Sequence, residues 1–334
     1  MERPEIVAPA GNLASLRAAL DSGADVVYAG FNDRTNARNF EGLNFTSAEL
    51  RQGISLVKKK NKKLYLAINT FPQESALAEW FSSVDRAVET GADALILADF
   101  AVLSYARKKY PDVNIHLSVQ ASSSNYESIN FYKKHVGIKR VILPRVVTIK
   151  EIMELREKTD VPLEVFALGG LCINIEGRCY LSSFVTGVST NTAGVCSPTR
   201  FVRFANDNRD ALTISLNEVV LNRLGPNESS PYPTCCKGRY IMPDGHAFYA
   251  IEDPCSLNVL DILPGLMEAG VCALKIEGRQ RTKSYVSTMT RVLREAVDSY
   301  CENTSAYRVK QEWSNAVLST FEGTKGTIGC YVGK

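Results

Sequence analysis

A (β/α)8 barrel of the TIM type is the fold the sequence predicts, and three observations predict it. Short apolar segments alternate with amphipathic helical runs, each ending in Gly or Lys, from residue 5 to about residue 168. One more strand-and-helix unit follows a long interruption and brings the number of units to eight. Several strands also alternate aliphatic with polar side chains. A doubly wound open sheet is the second arrangement such alternation allows.

In chain order the strands are read as Glu5 to Ala10, Asp25 to Gly30, Lys63 to Asn69, Ala92 to Asp99, Asn114 to Gln120, Lys139 to Arg145 and Pro162 to Leu168. Helical runs between them include Leu13 to Ser22, Ser47 to Lys60, Glu74 to Thr90 and Ile149 to Lys158. The eighth strand, Ala273 to Glu277, follows a helical stretch over Leu257 to Ala269 and precedes another over Ser284 to Tyr300. In the fifth strand Ile115, Leu117 and Val119 share one side, while His116, Ser118 and Gln120 share the other. The third sets Leu64, Leu66 and Ile68 against Tyr65, Ala67 and Asn69, and the eighth sets Leu274 and Ile276 against Lys275 and Glu277. With the aliphatic side on the helices, the polar side points into the barrel. Polar residues at the C-terminal ends of barrel strands build the reaction site of such folds, which here collects Asn69, Asp99, Gln120, Arg145, Lys275 and Glu277. A hydrogen-bonded polar layer without chemistry is the other role open to each of them.

The chain has 334 residues, 45% hydrophobic and 22% charged, an ordinary globular composition. Its net charge is +3, with Lys and Arg spread along the chain, which does not by itself call for nucleic acid. The one basic run, Lys58, Lys59, Lys60, Lys62 and Lys63, reads as a solvated helix end. The N-terminus is charged and runs straight into a strand, and no apolar run approaches membrane-spanning length, so a cytoplasmic protein is expected. Nine cysteines in that compartment point to metal rather than to disulfides.

Between Gly169 and about Pro254 the alternation breaks for some eighty residues rich in Gly, Asn, Ser, Thr and Pro, too long for a bare connection. A single barrel domain over 1–300 with an insertion at 170–255 is therefore expected, followed by a tail at 301–334 that packs on the barrel or meets a partner. The insertion holds Cys172, Cys179, Cys196 and Cys236, each beside glycines that let backbone wrap a compact inorganic core. Their wide intervals fit an iron-sulfur cluster better than structural zinc, which takes cysteines in tight pairs; zinc and unliganded thiols remain open on spacing alone. Cys235 is the rival for the fourth position. Arg178, Arg200, Lys237 and Arg239 stand beside the ligands and could offset the charge of a thiolate-ligated cluster. Cys255, Cys272, Cys301 and Cys330 read as small apolar side chains.

No G-x-S-x-G elbow, H-E-x-x-H, P-loop or strand-linked G-x-G-x-x-G occurs. Of three histidines, His135 reads as surface, His246 as a residue just past a turn, and His116 as a core histidine. A hydrolase has no positive support.

From Glu164 through Gly169-Gly170-Leu171-Cys172 to Gly177-Arg178-Cys179-Tyr180, the chain resembles the signature of a family first filed as peptidases of unknown mechanism. The likeness extends through Thr35-Asn36-Ala37-Arg38, Ser118-Val119-Gln120-Ala121, Leu143-Pro144-Arg145, Cys196-Ser197-Pro198, Lys237-Gly238-Arg239 and Lys275-Ile276-Glu277-Gly278-Arg279. Within that family the chain looks most like the UbiU branch. The resemblance implies a 4Fe-4S cluster on Cys172, Cys179, Cys196 and Cys236, with Cys236 chosen over Cys235 because it directly precedes Lys237. It implies oxygen-independent hydroxylation of the aromatic ring of a ubiquinone precursor, with prephenate as oxygen donor. It further implies a heterodimer with a UbiV-like subunit and a lipid-carrier accessory protein. Gly170 departs from the family's Ala or Ser, and Leu168 stands where several relatives place a His. Other members hydroxylate RNA bases and tend to carry an added C-terminal domain; with no strong basic stripe here, RNA is the lesser expectation. The alternative to a catalytic subunit is a scaffold whose metal only stiffens the insertion.

Overall fold

Eight parallel strands close on themselves in the computed structural model, which describes residues 3–176, 178–206, 211–323 and 325–333. They are β1 (Glu5–Pro9), β2 (Val26–Gly30), β3 (Lys63–Ile68), β4 (Ala94–Leu97), β5 (Ile115–Leu117), β6 (Arg140–Ile142), β7 (Leu163–Gly170) and, after a long excursion, β14 (Ala273–Ile276). Each pairs with its neighbour in chain order, and β14 pairs with both β7 and β1, so the sheet is a (β/α)8 barrel and not an open one.

Helices α1 (Leu13–Asp21), α2 (Ser47–Lys59), α3 (Leu77–Thr90), α4 (Phe100–Lys109), α5 (Tyr126–Val136) and α6 (Ile149–Lys158) follow the first six strands. Their starts are written locally. Thr46 and Thr148 form capping boxes with Glu49 and Glu151, while Asn12, Asp99 and Asn125 cap α1, α4 and α5, each such cap contributing about 1 kcal/mol. The core between barrel and helices is fully buried, with Ile6, Leu16, Trp80 and Leu97 among its members.

Inside the barrel, toward the N-terminal ends of the strands, an ionic network fills the lumen. Lys275 Nζ lies 2.7 Å from Glu164, Arg140 lies 3.1 Å from Glu164 and 2.6 Å from Glu5, and Lys63 lies 2.6 Å from Glu5. His116 packs edge-on against Tyr65 at 4.7 Å. Burial, aided by the nearby Arg140, pushes the imidazole down to about 3, so His116 is neutral.

Between β7 and β14 the chain forms α7 (Tyr180–Thr186), α8 (Thr190–Ala193), an antiparallel sheet of β8 (Val202–Asn206), β9 (Leu212–Leu216) and β10 (Val219–Leu224), and a hairpin of β11 (Tyr240–Ile241) with β12 (Ala247–Phe248). Strand β13 (Cys255–Asn258) then pairs antiparallel with the end of β7, ahead of α9 (Leu263–Glu268). The helix expected over Leu257 to Ala269 is thus strand in its first part, because Leu257 and Asn258 find backbone partners in Gly169 and Leu168 that local propensity cannot see.

After α10 (Lys283–Glu302), α11 (Gln311–Leu318) buries Trp313 against α10, where its indole N–H donates to Glu295 at 2.7 Å. Strand β15 (Lys325–Thr327) joins β13, and the Tyr331 hydroxyl donates to the Phe166 carbonyl at 2.7 Å. These contacts set the tail against the barrel. Cys301 and Cys330, read from the sequence as small apolar side chains, are exposed there.

Candidate metal centre at the barrel mouth

The C-terminal ends of the strands open on two adjoining cavities. The outer one, about 870 Å³, is lined by Cys172, Cys179, Cys196, Cys235 and Cys236. The inner one, about 490 Å³, lies in the upper lumen over Phe166, with Asn69, Gln120, Lys275 and Arg279 in its walls. Arg38, Gln120, Arg145, Glu176 and Glu277 line both and form the partition between them.

Each cysteine arrives on a different piece of chain. Cys172 follows the end of β7, and Cys179 is the N-cap of α7, its sulfur 3.5 Å from the Ser182 amide. Cys196 sits past Gly194, whose φ of +80° and lack of a Cβ allow its loop to lie on the Arg38 loop; an added Cβ would lie 2.6 Å from the Asn36 oxygen. The Arg38 amide donates to the Gly194 carbonyl at 2.8 Å, so this contact ties the cysteine loop to the barrel. Cys236 lies in a short helical turn over Cys235–Lys237, its sulfur 3.3 Å from the Thr234 hydroxyl. Gly177, in the motif before Cys179, lies outside the described residues.

Burial pushes the Cys172 thiol up to about 12 and raises those of Cys196 and Cys236. Positive charge opposes this in each case: Arg145 and Arg38 at Cys172, Arg38 at Cys196, Lys237 at Cys236. Of the four basic residues named from sequence, only Lys237 is buried here; its Nζ donates to the Cys255 carbonyl at 3.2 Å. Arg178 lies over Phe71, Arg200 over Phe201, and Arg239 pairs with Glu228. Among the described residues, no three His, Cys, Asp or Glu side chains converge on one ion-sized point. Cys172, Cys179, Cys196 and Cys236 line one cavity instead, thiol donors of the type an iron-sulfur centre would take. Cys235 borders the same cavity, but it is buried and packs with Leu216 and Leu221 in a separate apolar cluster.

The partition is ionic. Arg38 Nε lies 3.1 Å from Glu277, which also accepts from the Gly170 amide at 3.1 Å; burial would raise the Glu277 carboxyl, but Arg38 and Arg145 hold it below the usual range. Arg145 donates to the Gly170 carbonyl at 2.7 Å and stands 3.4 Å from Glu176. At that separation the buried Arg145 Nε and Glu176 Oε1 face each other as an ion pair without a hydrogen bond between them.

Five of the six strand-end residues named from sequence meet at these cavities. Asn69 is fixed by the Ala37 amide and the Ser118 hydroxyl, Gln120 and Arg145 face both cavities, Lys275 is bound to Glu164, and Glu277 stands in the partition. Asp99 does not join them. Its carboxylate accepts from the Ala101 and Val102 amides as the cap of α4. Arg38, Glu176, Tyr232 and Arg279 were missed as site residues. Arg38 and Arg279 lie in the dispersed motifs, so a signal existed; Glu176 and Tyr232 lie in irregular chain with no periodicity to place them. Leu168 is fully buried, and a Cβ on Gly170 would lie 2.8 Å from Glu277 Oε2.

Comparison with known proteins agrees with this architecture. The sequence profile described as Peptidase family U32 matches residues 11–333. The tRNA hydroxylation protein P1 of Bacillus subtilis is 31% identical over 97% of this chain and 72% of its own length. An uncharacterized protease of Methanocaldococcus jannaschii is 33% identical over 98% of this chain and 72% of its own length. A 23S rRNA 5-hydroxycytidine synthase of Escherichia coli is 26% identical over 90% of this chain and 40% of its own length. With a profile match and two relatives that both span nearly the whole chain, the protein belongs to peptidase family U32.

Proposed function

We propose that this protein is an iron-sulfur hydroxylase whose substrate is a base of RNA. The observation that carries the reading is the juxtaposition of a cavity bordered by Cys172, Cys179, Cys196 and Cys236 with an arginine-lined chamber in the barrel lumen. The activities for which two relatives are named, tRNA hydroxylation and 23S rRNA 5-hydroxycytidine synthesis, support hydroxylation and RNA as the substrate class. The peptidase label gains no support from the site, where among the described residues no nucleophile lining the cavities stands hydrogen-bonded to a general base.

A 4Fe-4S cluster on these cysteines would supply one-electron chemistry without molecular oxygen. The residues of the chain supply the rest. Arg145 and Arg38 bind the carboxylate of a small oxygen donor, prephenate by the family resemblance, and Glu277 fixes Arg38 in place. Gln120 and Asn69 present amides to the ring being hydroxylated, and Phe166 closes the chamber floor.

A second reading places the ring of a ubiquinone precursor in the chamber and pairs the chain with a UbiV-like subunit. The dispersed motifs shared with the UbiU branch favour it. Iron and acid-labile sulfide, measured on protein purified without oxygen beside Cys196→Ala, test the common core: about four of each per chain are expected, lost in the variant. Zinc in their place refutes it. Nucleoside mass spectrometry of hydroxylation-free tRNA after incubation with the protein and prephenate separates the substrates, a new hydroxylated nucleoside being expected.

A further inference from the structure

The inner cavity is lined by the cations Arg38, Arg145, Lys275 and Arg279. All but Arg279 have a carboxylate beside them: Arg38 has Glu277 at 3.1 Å, Arg145 has Glu176 at 3.4 Å and Lys275 has Glu164 at 2.7 Å. Arg279 has no carboxylate partner among the described residues, although it is only 4% exposed. Its Nη1 donates to Asn36 Oδ1 at 2.8 Å and its Nη2 to the Ala37 carbonyl, both neutral acceptors. A guanidinium carries more N–H donors than these contacts use.

Nothing nearby balances the charge. The Tyr28 ring lies 5.7 Å from Arg279, but the same ring faces Lys275 at 4.0 Å and so is shared between two cations. Burial keeps the Tyr28 phenol protonated, and its hydroxyl donates to the Ile276 carbonyl at 2.8 Å. Glu277, in the same wall, is engaged with Arg38 and the Gly170 amide. Burial pulls the Arg279 guanidinium down to about 10, which leaves it charged at neutral pH. The fold makes room for it: an added Cβ on Gly30, at the end of β2, would lie 2.6 Å from Arg279 Nη1. A buried charge without a counter-ion is costly, and a mere tie to Asn36 and Ala37 could be made by a neutral donor at less cost. We propose that Arg279 anchors an acid group, carboxylate or phosphate, of a small ligand in the inner cavity, as an anion subsite separate from Arg38 and Arg145 at the partition. Its planar fork meets either acid through paired N–H bonds. The subsite rests on neither the cysteines nor the RNA reading.

Isothermal titration calorimetry on protein purified without oxygen tests it, with benzoate and phenyl phosphate as probes and benzyl alcohol as the uncharged control. The parent should bind at least one of the anions and not the alcohol, and Arg279→Gln should weaken that binding about tenfold or more. Whichever probe binds tighter tells carboxylate from phosphate. Should Arg279→Gln fail to fold, Gly30→Ala keeps the charge but crowds Nη1, and it should weaken the same anion. If both variants bind the probe like the parent while Arg38→Gln loses it, the anion sits at the partition; the inference is then overturned and the donor-binding reading stands. If Arg279→Gln only lowers the melting temperature, with affinity unchanged, Arg279 is a structural tie and the inference is again overturned. A parent that binds neither anion overturns it as well.

Discussion

Replacing Glu164 with Gln puts the buried ionic network of the lumen to a quantitative test. Glu164 has no exposure; burial would raise its carboxyl, but Lys275 and Arg140 hold it down to about 2. In Glu164→Gln, Lys275 loses the carboxylate that balanced its charge and keeps a neutral amide and the Tyr28 ring, 4.0 Å away. Breaking a buried pair from one side costs about 3–5 kcal/mol, because the remaining charge is left in low dielectric. At about 2.1 cal/mol/K per residue, 334 residues unfold with about 0.7 kcal/mol/K, so a loss of about 4 kcal/mol lowers the melting temperature by roughly 6 °C. A pH signature goes with it. Burial already lowers the Lys275 ammonium, opposed by Glu164; without Glu164 it falls further. Between the lowered folded value and the ordinary lysine value the unfolded chain binds more protons, so stability rises with pH in both proteins, over a wider window and with a larger total rise in the variant. Urea denaturation at several pH values, with Lys275→Met and the double variant completing a cycle, measures both effects. A loss under about 0.5 kcal/mol at pH 7 with no added pH slope would refute the reasoning.

Three further outcomes are expected. Asp99→Ala should cost about 1 kcal/mol by removing the cap of α4, with hydroxylation retained, as Asp99 borders neither cavity; loss of activity in a folded variant would return it to the site. Between about pH 6.5 and 4.5 the parent should lose stability as pH falls, because unfolded His116 takes up a proton that the folded imidazole, held to about 3, refuses; His116→Phe should remove up to about 1.4 kcal/mol per pH unit of that slope in urea titrations. Gly169→Ala should destabilise by more than about 2 kcal/mol, since φ is +116° and a Cβ would lie 2.4 Å from the Glu277 carbonyl, whereas Gly187→Ala, at φ +68° with open space around it, should cost about 1 kcal/mol.

Strand alternation alone was enough to point Asn69, Gln120, Lys275 and Glu277 into the lumen, because period two forces successive side chains to opposite faces whatever the neighbours are. The closure of eight strands was legible for similar reasons of local pattern and composition. Asp99 stands away from the other five because a strand-end carboxylate and a helix N-cap look alike in sequence at a β-to-α turn; only the two amides it accepts from distinguish them. Likewise the strand character of Cys255–Asn258 depends on a partner some ninety residues earlier, at the end of β7. The RNA reading rests on the named activities of relatives, which a charge sum over the whole chain does not reveal.

By itself, then, the sequence determined the barrel, the inward polar faces and the four cysteines that carry the metal hypothesis, all properties encoded within one element or one loop. Tertiary structure decided that Arg38, Arg145, Glu176 and Glu277 form one partition between two cavities. That arrangement depends on loops from β2, β6, β7 and β14 meeting at one end of the barrel, and contacts across such sequence distances arise only when the sheet closes.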